Sequence, residues 1–353
     1  MTRVTVQPEH GRPRSLLARP PSELRDLLAD PTGDALSAVT GDPLVVIDLA
    51  RGLPPHLDEA HARPCVTVGV HTGGGTPPAT AEVAGLDVLL TDQHQPPRPW
   101  VHDPGGLLER IAANVGANPQ SAVTLAQLLR FAERLDPRDA LVAESVAYSM
   151  LLAGPEFGRW LAGRARPRPS PEAEPVRMTR SGDELEIRLH RPEVHNAYSA
   201  AMRDALTDAL ALPVADPTLR RIVLGGDGPS FCSGGDLREF GTTPDPVTAH
   251  LIRTTHSPAR LLIQLADRVA AHLHGACVGA GIELAAFARL VSAQPDSWIQ
   301  LPEVTMGLIP GAGGTVSLPR RIGRHRTAAL ALAADRIDAA RALDWGLVDA
   351  LTA

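Results

Sequence analysis

The chain has 353 residues, 44% of them apolar, with a net charge of −6, enough for one large core or two ordinary ones. The acidic balance, with no basic blocks interleaved with aromatics, argues against a nucleic-acid partner, and no apolar run reaches the length of a membrane span. Three scattered cysteines (Cys65, Cys232, Cys277), no metal-ligand spacing and no signal-type apolar region in the opening residues lead us to expect reduced thiols, no metal and a cytoplasmic location.

Residues 1–40 are polar and broken by proline, with one short helix expected from Ser22 to Ala29. A first unit, residues 41–165, opens with β-branched runs at Leu44–Leu49 and Cys65–Val70 and a third at Leu86–Thr91, all bounded by turn residues as buried strands are. Apolar residues at helical spacing then predict helices over Gln120–Leu135 and Arg138–Leu152, with Asp136-Pro137 as a start signal and Gly154-Pro155 as a stop. Glu156–Ala162 reads as a last turn or two. Residues 166–175 carry four prolines in ten positions, so they read as an extended linker.

From Val176 to Ala353 the pattern changes. Ser181-Gly182-Asp183 joins two strands as a hairpin, and strand and helix alternate afterwards. A helix over Ala200–Leu210 leads to a strand at Arg221–Leu224. A helix over Pro246–Leu265, kinked at Pro258, leads to a strand at Arg268–His274. A helix over Gly281–Phe287 leads to a strand at Leu290–Ala293. This alternation predicts an α/β unit with a mainly parallel sheet.

Two glycine turns stand out, Phe231-Cys232-Ser233-Gly234-Gly235-Asp236-Leu237 and Gly279-Ala280-Gly281-Ile282-Glu283-Leu284. Glycine lets backbone approach a ligand and offer bare N–H groups, and two such donors on one carbonyl make an oxyanion hole. Leu301-Pro302-Glu303-Val304 and Pro310-Gly311-Ala312-Gly313-Gly314-Thr315 follow. A glutamate pair beside a polarised carbonyl can move protons there.

In these motifs, with Arg191–Ala197, Arg336–Ala340 and Ala342–Val348, residues 176–353 resemble the enoyl-CoA hydratase/isomerase (crotonase) superfamily. The resemblance implies a ββα superhelix, an acyl-CoA thioester substrate, no metal, no cofactor beyond the coenzyme A of the substrate, and a homo-oligomer, trimer or hexamer. By motif position it implies oxyanion donors at the N–H groups of Gly235 and Ala280, and catalysis by Glu283 and Glu303. It also implies substrate contacts from Asn196, Ala197, Ser233, Gly234, Asp236, Gly279 and Gly311. Many relatives carry glycine where this chain has Ala280. The activity implied is an enoyl-CoA hydratase-type lyase. An enoyl-CoA isomerase is the nearest alternative, and a non-catalytic acyl-CoA-binding or scaffold subunit is an alternative of another class.

Some features are read more plainly. Cys232 and Cys277 suit small apolar packing, Asp236 suits a turn brace, and Arg238 is divided between a contact to CoA phosphate and an ordinary surface role. His272 and His274 suit a core or interface pair. The resemblance also implies a helical tail after Val348, which this sequence lacks, while residues 118–162 resemble that tail. The first unit is therefore expected to be a shrunken crotonase-like half whose helices pack over the catalytic unit, in the same chain or a neighbour.

Overall fold

The computed structural model describes residues 18–28, 32–53, 62–164 and 174–352. The expected linker lies outside these residues except for Glu174 and Pro175, as do residues 1–17 and 29–31 of the opening segment.

The first unit runs α1 (Pro21–Leu28), β1 (Leu44–Asp48), β2 (Val66–His71), α2 (Thr80–Val83), β3 (Val88–Thr91) and β4 (Val101–His102). Its helices α3 (Leu107–Ala117), α4 (Pro119–Ala132), α5 (Pro137–Leu152) and α6 (Pro155–Ala162) follow. The strands pair in parallel in the order β1-β2-β3-β4. Alternate residues face opposite sides: Leu44, Val46, Val66, Val68, Val88 and Leu90 join the main core, while Val45, Ile47 and Leu89 join a smaller one around Leu24 and Trp100. Strand β4, two residues long, and helix α3 were not anticipated. The Asp103 carboxylate starts α3 locally, accepting from the N–H groups of Gly105, Leu107 and Leu108 just after it in the chain.

The second unit runs β5 (Val176–Ser181), β6 (Glu184–Leu189), α7 (Ala200–Ala215), β7 (Arg221–Gly226), α8 (Pro246–Thr255) and α9 (Pro258–Leu265). It continues with β8 (Val269–Leu273), β9 (Ala276–Val278), α10 (Ala280–Ala285), β10 (Leu290–Ala293), β11 (Trp298–Gln300) and α11 (Gly314–Ala333). It ends with β12 (Ile337–Asp338), α12 (Ala339–Trp345) and β13 (Ala350–Leu351). The expected kink at Pro258 is a full break, because Ser257 accepts from Arg260 N–H and starts a new helix with proline in its first turn. Helix α7 runs five residues past its expected end, through Pro213. Helix α11 bends at Gly323, whose φ of 77° leaves helical geometry.

Chain segments pass repeatedly from one sheet to another. The six-stranded sheet has the order β13-β10-β8-β7-β6-β5, and a second sheet has the order β12-β11-β9. Each of β8 and β10 continues, after a short turn, into a strand of the second sheet, and a helix follows. The segment after β7 does the same, because Cys232 bridges in parallel to Cys277 of β9. These are the turns of a ββα superhelix.

The helices of the first unit pack on the second within the same chain. Asn114 of α3 donates to the carbonyls of Leu332 and Ala333 at 2.9 Å, and Arg324 of α11 donates to Leu86 O at 2.9 Å. One apolar cluster includes residues from Leu44 to Val348, so no seam divides the cores of the two units.

Candidate active site

The second sheet sets the site. Cys232 pairs with Cys277, Cys277 with Ile299, and Val278 with Gln300, all in parallel. Residues just past these rungs, Gly235, Ala280 and Glu303, therefore lie side by side at the carboxyl ends of the strands, where α/β proteins place their ligands. All three line a cavity of about 470 Å³.

Backbone N–H groups of Gly235 and Ala280 donate to no acceptor among the described residues. Their neighbours are spent: Ser233 N–H bonds His195 O at 2.9 Å, Asp236 N–H bonds Tyr198 O at 2.9 Å, and Gly279 N–H bonds Gln300 O at 3.0 Å. Gly234 has φ 92°, which turns the chain after it towards the cavity. Asp236 holds this turn, accepting from Arg238 Nε at 2.9 Å and Arg191 Nη2 at 3.0 Å. Burial acts to raise its carboxyl, but the bonds from Arg238 and Arg191 prevail and hold it at about 2. Arg238, expected either to contact CoA phosphate or to be an ordinary surface residue, instead has its side chain bonded to Asp236.

Glu283, on α10, is 2% exposed. Its Oε2 accepts from Ala312 N–H at 2.7 Å and Gly314 N–H at 2.9 Å, which turns Oε1 towards Gly279. Glu303 begins the short turn after β11 and also aims its Oε1 at Gly279. A Cβ built on Gly279 would lie 2.5 Å from Glu303 Oε1 and 3.7 Å from Glu283 Oε1. The two carboxylates thus converge on one point beside the free N–H of Ala280. Glu303 Oε2 is buried and accepts no hydrogen bond among the described residues. Burial first, then the neighbouring Glu144, pushes the Glu303 carboxyl up to about 8. Burial and then Glu303 push Glu283 well above the usual carboxylate range, against the pull of the two N–H bonds.

Glu144, a third carboxylate, comes from α5 of the first unit and was not among the expected site residues. Its Oε1 accepts from Gly313 N–H at 2.7 Å, and its Oε2 accepts from Thr315 N–H at 2.9 Å and Thr315 Oγ1 at 2.7 Å. Burial raises its carboxyl to about 7. One signal was available: Glu144 stands on the same stripe as Ala140 and Tyr148, where an apolar residue belongs. Tyr148 closes the cavity above Gly311, where a Cβ would strike its ring.

Several expected contacts stand elsewhere. Asn196 is fully buried; its side chain accepts from Arg191 N–H and donates to the carbonyls of Asp227 and Ser230 at 2.8 Å, so it shapes the loop before α7. The Ala197 carbonyl accepts from Arg191 Nη1. Asn196, Ala197, Ser233, Gly234 and Gly279 do not line the cavity, whereas Asp236 and Gly311 do. Cys232 and Cys277 are buried and burial raises both thiols, Cys232 to about 12. The expected core or interface pairing of the histidines takes another form. His272 is exposed and bonds Ser292 Oγ at 2.6 Å, while His274 lies past the strand end against Gly228 O at 3.0 Å. Among the described residues there is no cluster of metal ligands, and no helix is long and apolar enough to cross a membrane.

Residues 182–353 match the family model described as Enoyl-CoA hydratase/isomerase. YhaR of Bacillus subtilis, classed with the enoyl-CoA hydratases/isomerases, is 32% identical over 49% of this chain and 68% of its own length. Cyclohexa-1,5-dienecarbonyl-CoA hydratase of Thauera aromatica is 32% identical over 50% of this chain and 66% of its own. The crystal structure of an enoyl-CoA hydratase from Thermoplasma volcanium covers 51% of this chain and 72% of its own, at 34% identity and a TM-score of 0.47. The matched stretch thus spans about two thirds of each relative and half of this chain. On the strength of the sequence matches, this chain belongs to the enoyl-CoA hydratase/isomerase family.

Proposed function

We propose that this protein is an enoyl-CoA hydratase-type lyase that adds water across the 2,3 double bond of an acyl-CoA thioester, or removes it in reverse. The observation that carries this reading is the convergence of Glu283 and Glu303 beside two free backbone N–H groups. The N–H groups of Gly235 and Ala280 hold the thioester oxygen and stabilise the enolate that forms on it. A water sits between the carboxylates. One glutamate, ionised, takes a proton from that water as its oxygen bonds to Cβ; the π electrons move into the enolate. The other glutamate, protonated, then delivers its proton to Cα, and the two have exchanged protonation states. Two crowded buried carboxylates cannot both ionise cheaply, so the pair gives up its two protons in separate steps, and the state that holds one of them is the one this step requires.

The first test is crotonyl-CoA. Hydration bleaches the enone absorbance; an isomerase acts only on a 3-enoyl thioester, and a scaffold acts on neither. Because Glu303 is raised to about 8, its acid form survives neutral pH and is lost as pH rises through that value. Since the step needs one glutamate ionised and the other protonated, kcat/KM is expected to follow a bell, climbing while the pair still holds both protons and falling by about tenfold per pH unit once it loses the second. A flat profile from about pH 7 to about pH 10 would exclude a raised carboxyl as the acid.

Gly279 offers a second test. Its φ of 48° and ψ of −121° suit glycine alone, and a Cβ would lie 2.5 Å from Glu303 Oε1. Gly279→Ala is expected to push that carboxylate aside and lower turnover by about 10²-fold, the scale of a 1 Å misplacement. Wild-type kinetics in the alanine variant would mean that the glutamate does not need its observed position.

A further inference from the structure

The cavity is not uniform in charge. Its inner end carries Glu283, Glu303 and Glu144, whereas four arginines line the rest of the wall: Arg138 and Arg260 at exposed positions, and Arg253 of α8 and Arg203 of α7. Arg253 is half-buried, and its side chain meets only neutral groups. Its Nε donates to Ser145 Oγ and its Nη2 to Ser145 O, both at 3.2 Å; Nη2 also reaches Ser149 Oγ, and the guanidinium lies 4.6 Å from the centre of the Tyr148 ring. No carboxylate comes within ion-pair distance of it among the described residues. Burial lowers the Arg253 guanidinium from its usual range and prevails over the pull of Tyr148 and Glu144, while Arg203 adds to the lowering. Arg203 has one partner, Asp204, at 2.8 Å. The two carboxylates nearest on the wall do not answer this charge: Glu239 is turned to cap Ala200 N–H at 2.7 Å, and Asp139 is exposed.

A half-buried guanidinium without an ion-pair partner, next to a second cation, is costly to keep. Charge alone on a purely aliphatic acyl pocket gains nothing, since an apolar side chain at the same site would pack better. A guanidinium fork does match a carboxylate, to which it can donate two parallel bonds. The Tyr148 ring packs on Gly311, next to the Ala312 that binds Glu283, and on its other side meets the Arg253 guanidinium. An acyl chain entering from the thioester end therefore passes the ring before it meets Arg253.

Resting on the hydratase reading for the thioester end, we propose that the acyl group bound here carries a carboxylate at its far end, and that Arg253, reinforced by Arg203, selects it. The substrates would then be CoA monothioesters of dicarboxylic acids.

Binding tests the proposal without relying on turnover. Glutaryl-CoA and pentanoyl-CoA have acyl chains of equal carbon number and differ in the terminal carboxylate. Calorimetry on the full chain is expected to show glutaryl-CoA binding about 10- to 100-fold tighter, the range of a charge-assisted pair. Arg253→Leu is expected to bring that ratio near one, and Arg253→Lys to keep most of it. A residue that only fastened α8 to α5 would leave the ratio unchanged when replaced. Equal affinities in the wild-type protein, or a preference that survives Arg253→Leu, would overturn the proposal. Glutaryl-CoA selectivity in a protein that fails to hydrate glutaconyl-CoA would support the carboxylate site and remove the hydratase reading. Hydration of crotonyl-CoA and glutaconyl-CoA with equal kcat/KM would do the reverse.

Discussion

Replacing Glu303 by glutamine is expected to cut hydration of crotonyl-CoA by about 10²–10⁴-fold, the usual worth of a positioned acid or base. Glutamine keeps the volume and hydrogen-bonding shape of the side chain but can neither release nor take the proton. Its effect should fall on kcat, with KM little changed, because the oxyanion donors and the acyl wall remain. Glu283→Gln should lose as much, for a second reason. Glu283 Oε2 also accepts from Ala312 and Gly314 N–H, and an amide that turned its NH2 towards them would free that loop. The double variant should be hardly worse than either single one, since the two groups handle opposite ends of one water. Singles that retained a tenth of wild-type turnover would end the two-carboxylate mechanism.

Asp87→Ala is expected to destabilise the fold by about 3–5 kcal/mol, read as a fall in the denaturant midpoint at constant slope. Asp87 and Arg130 are 2% and 3% exposed. Arg130 Nε meets Asp87 Oδ1 at 2.8 Å and Nη2 meets Oδ2 at 2.6 Å, while Nη1 and Nη2 also donate to the carbonyls of Arg63 and Cys65. Thr67 N–H and Oγ1 complete the carboxylate's shell at 2.8 and 2.9 Å. Removing the aspartate leaves a guanidinium stranded out of water. Burial acts to raise the Asp87 carboxyl, but Arg130 prevails and holds it below its ordinary value. Its contribution is thus present above the unfolded-state pKa and disappears as pH falls through the folded one. Replacing both partners together, Asp87→Leu with Arg130→Met, should recover most of the loss, because it is the unpaired charge that is costly. A double variant as unstable as Asp87→Ala would instead make the pair itself the source of stability.

This pair also bears on why the first unit belongs to the site. It fixes α4 to the strands β2 and β3, and Arg324 of α11 reaches the same corner, donating to Leu86 O at 2.9 Å. Helix α5, next along the chain, is then held where Glu144 can accept from Gly313 and Thr315. The loop that orients Glu283 is thus gripped from both sides: by Glu283 through Ala312 and Gly314, and by Glu144 through Gly313 and Thr315.

The sequence alone determined the family, the glycine turns, the position of both site glutamates in the chain, and most elements longer than four residues, with α3, α11 and α12 the exceptions. Those features are local. A turn needs its glycine at one place, a buried strand shows β-branched residues in a run, and an amphipathic helix repeats on a 3.6-residue period. It could not supply Glu144 or Arg253. Glu144 and Gly313 are 169 positions apart, and Arg253 and Ser145 are 108. No local pattern distinguishes a glutamate that will be buried against a distant glycine loop from one that faces water. Only the packing of α5 across the second unit decided that three carboxylates share one cavity with an arginine lacking a carboxylate partner, because burial and charge proximity are properties of the folded chain.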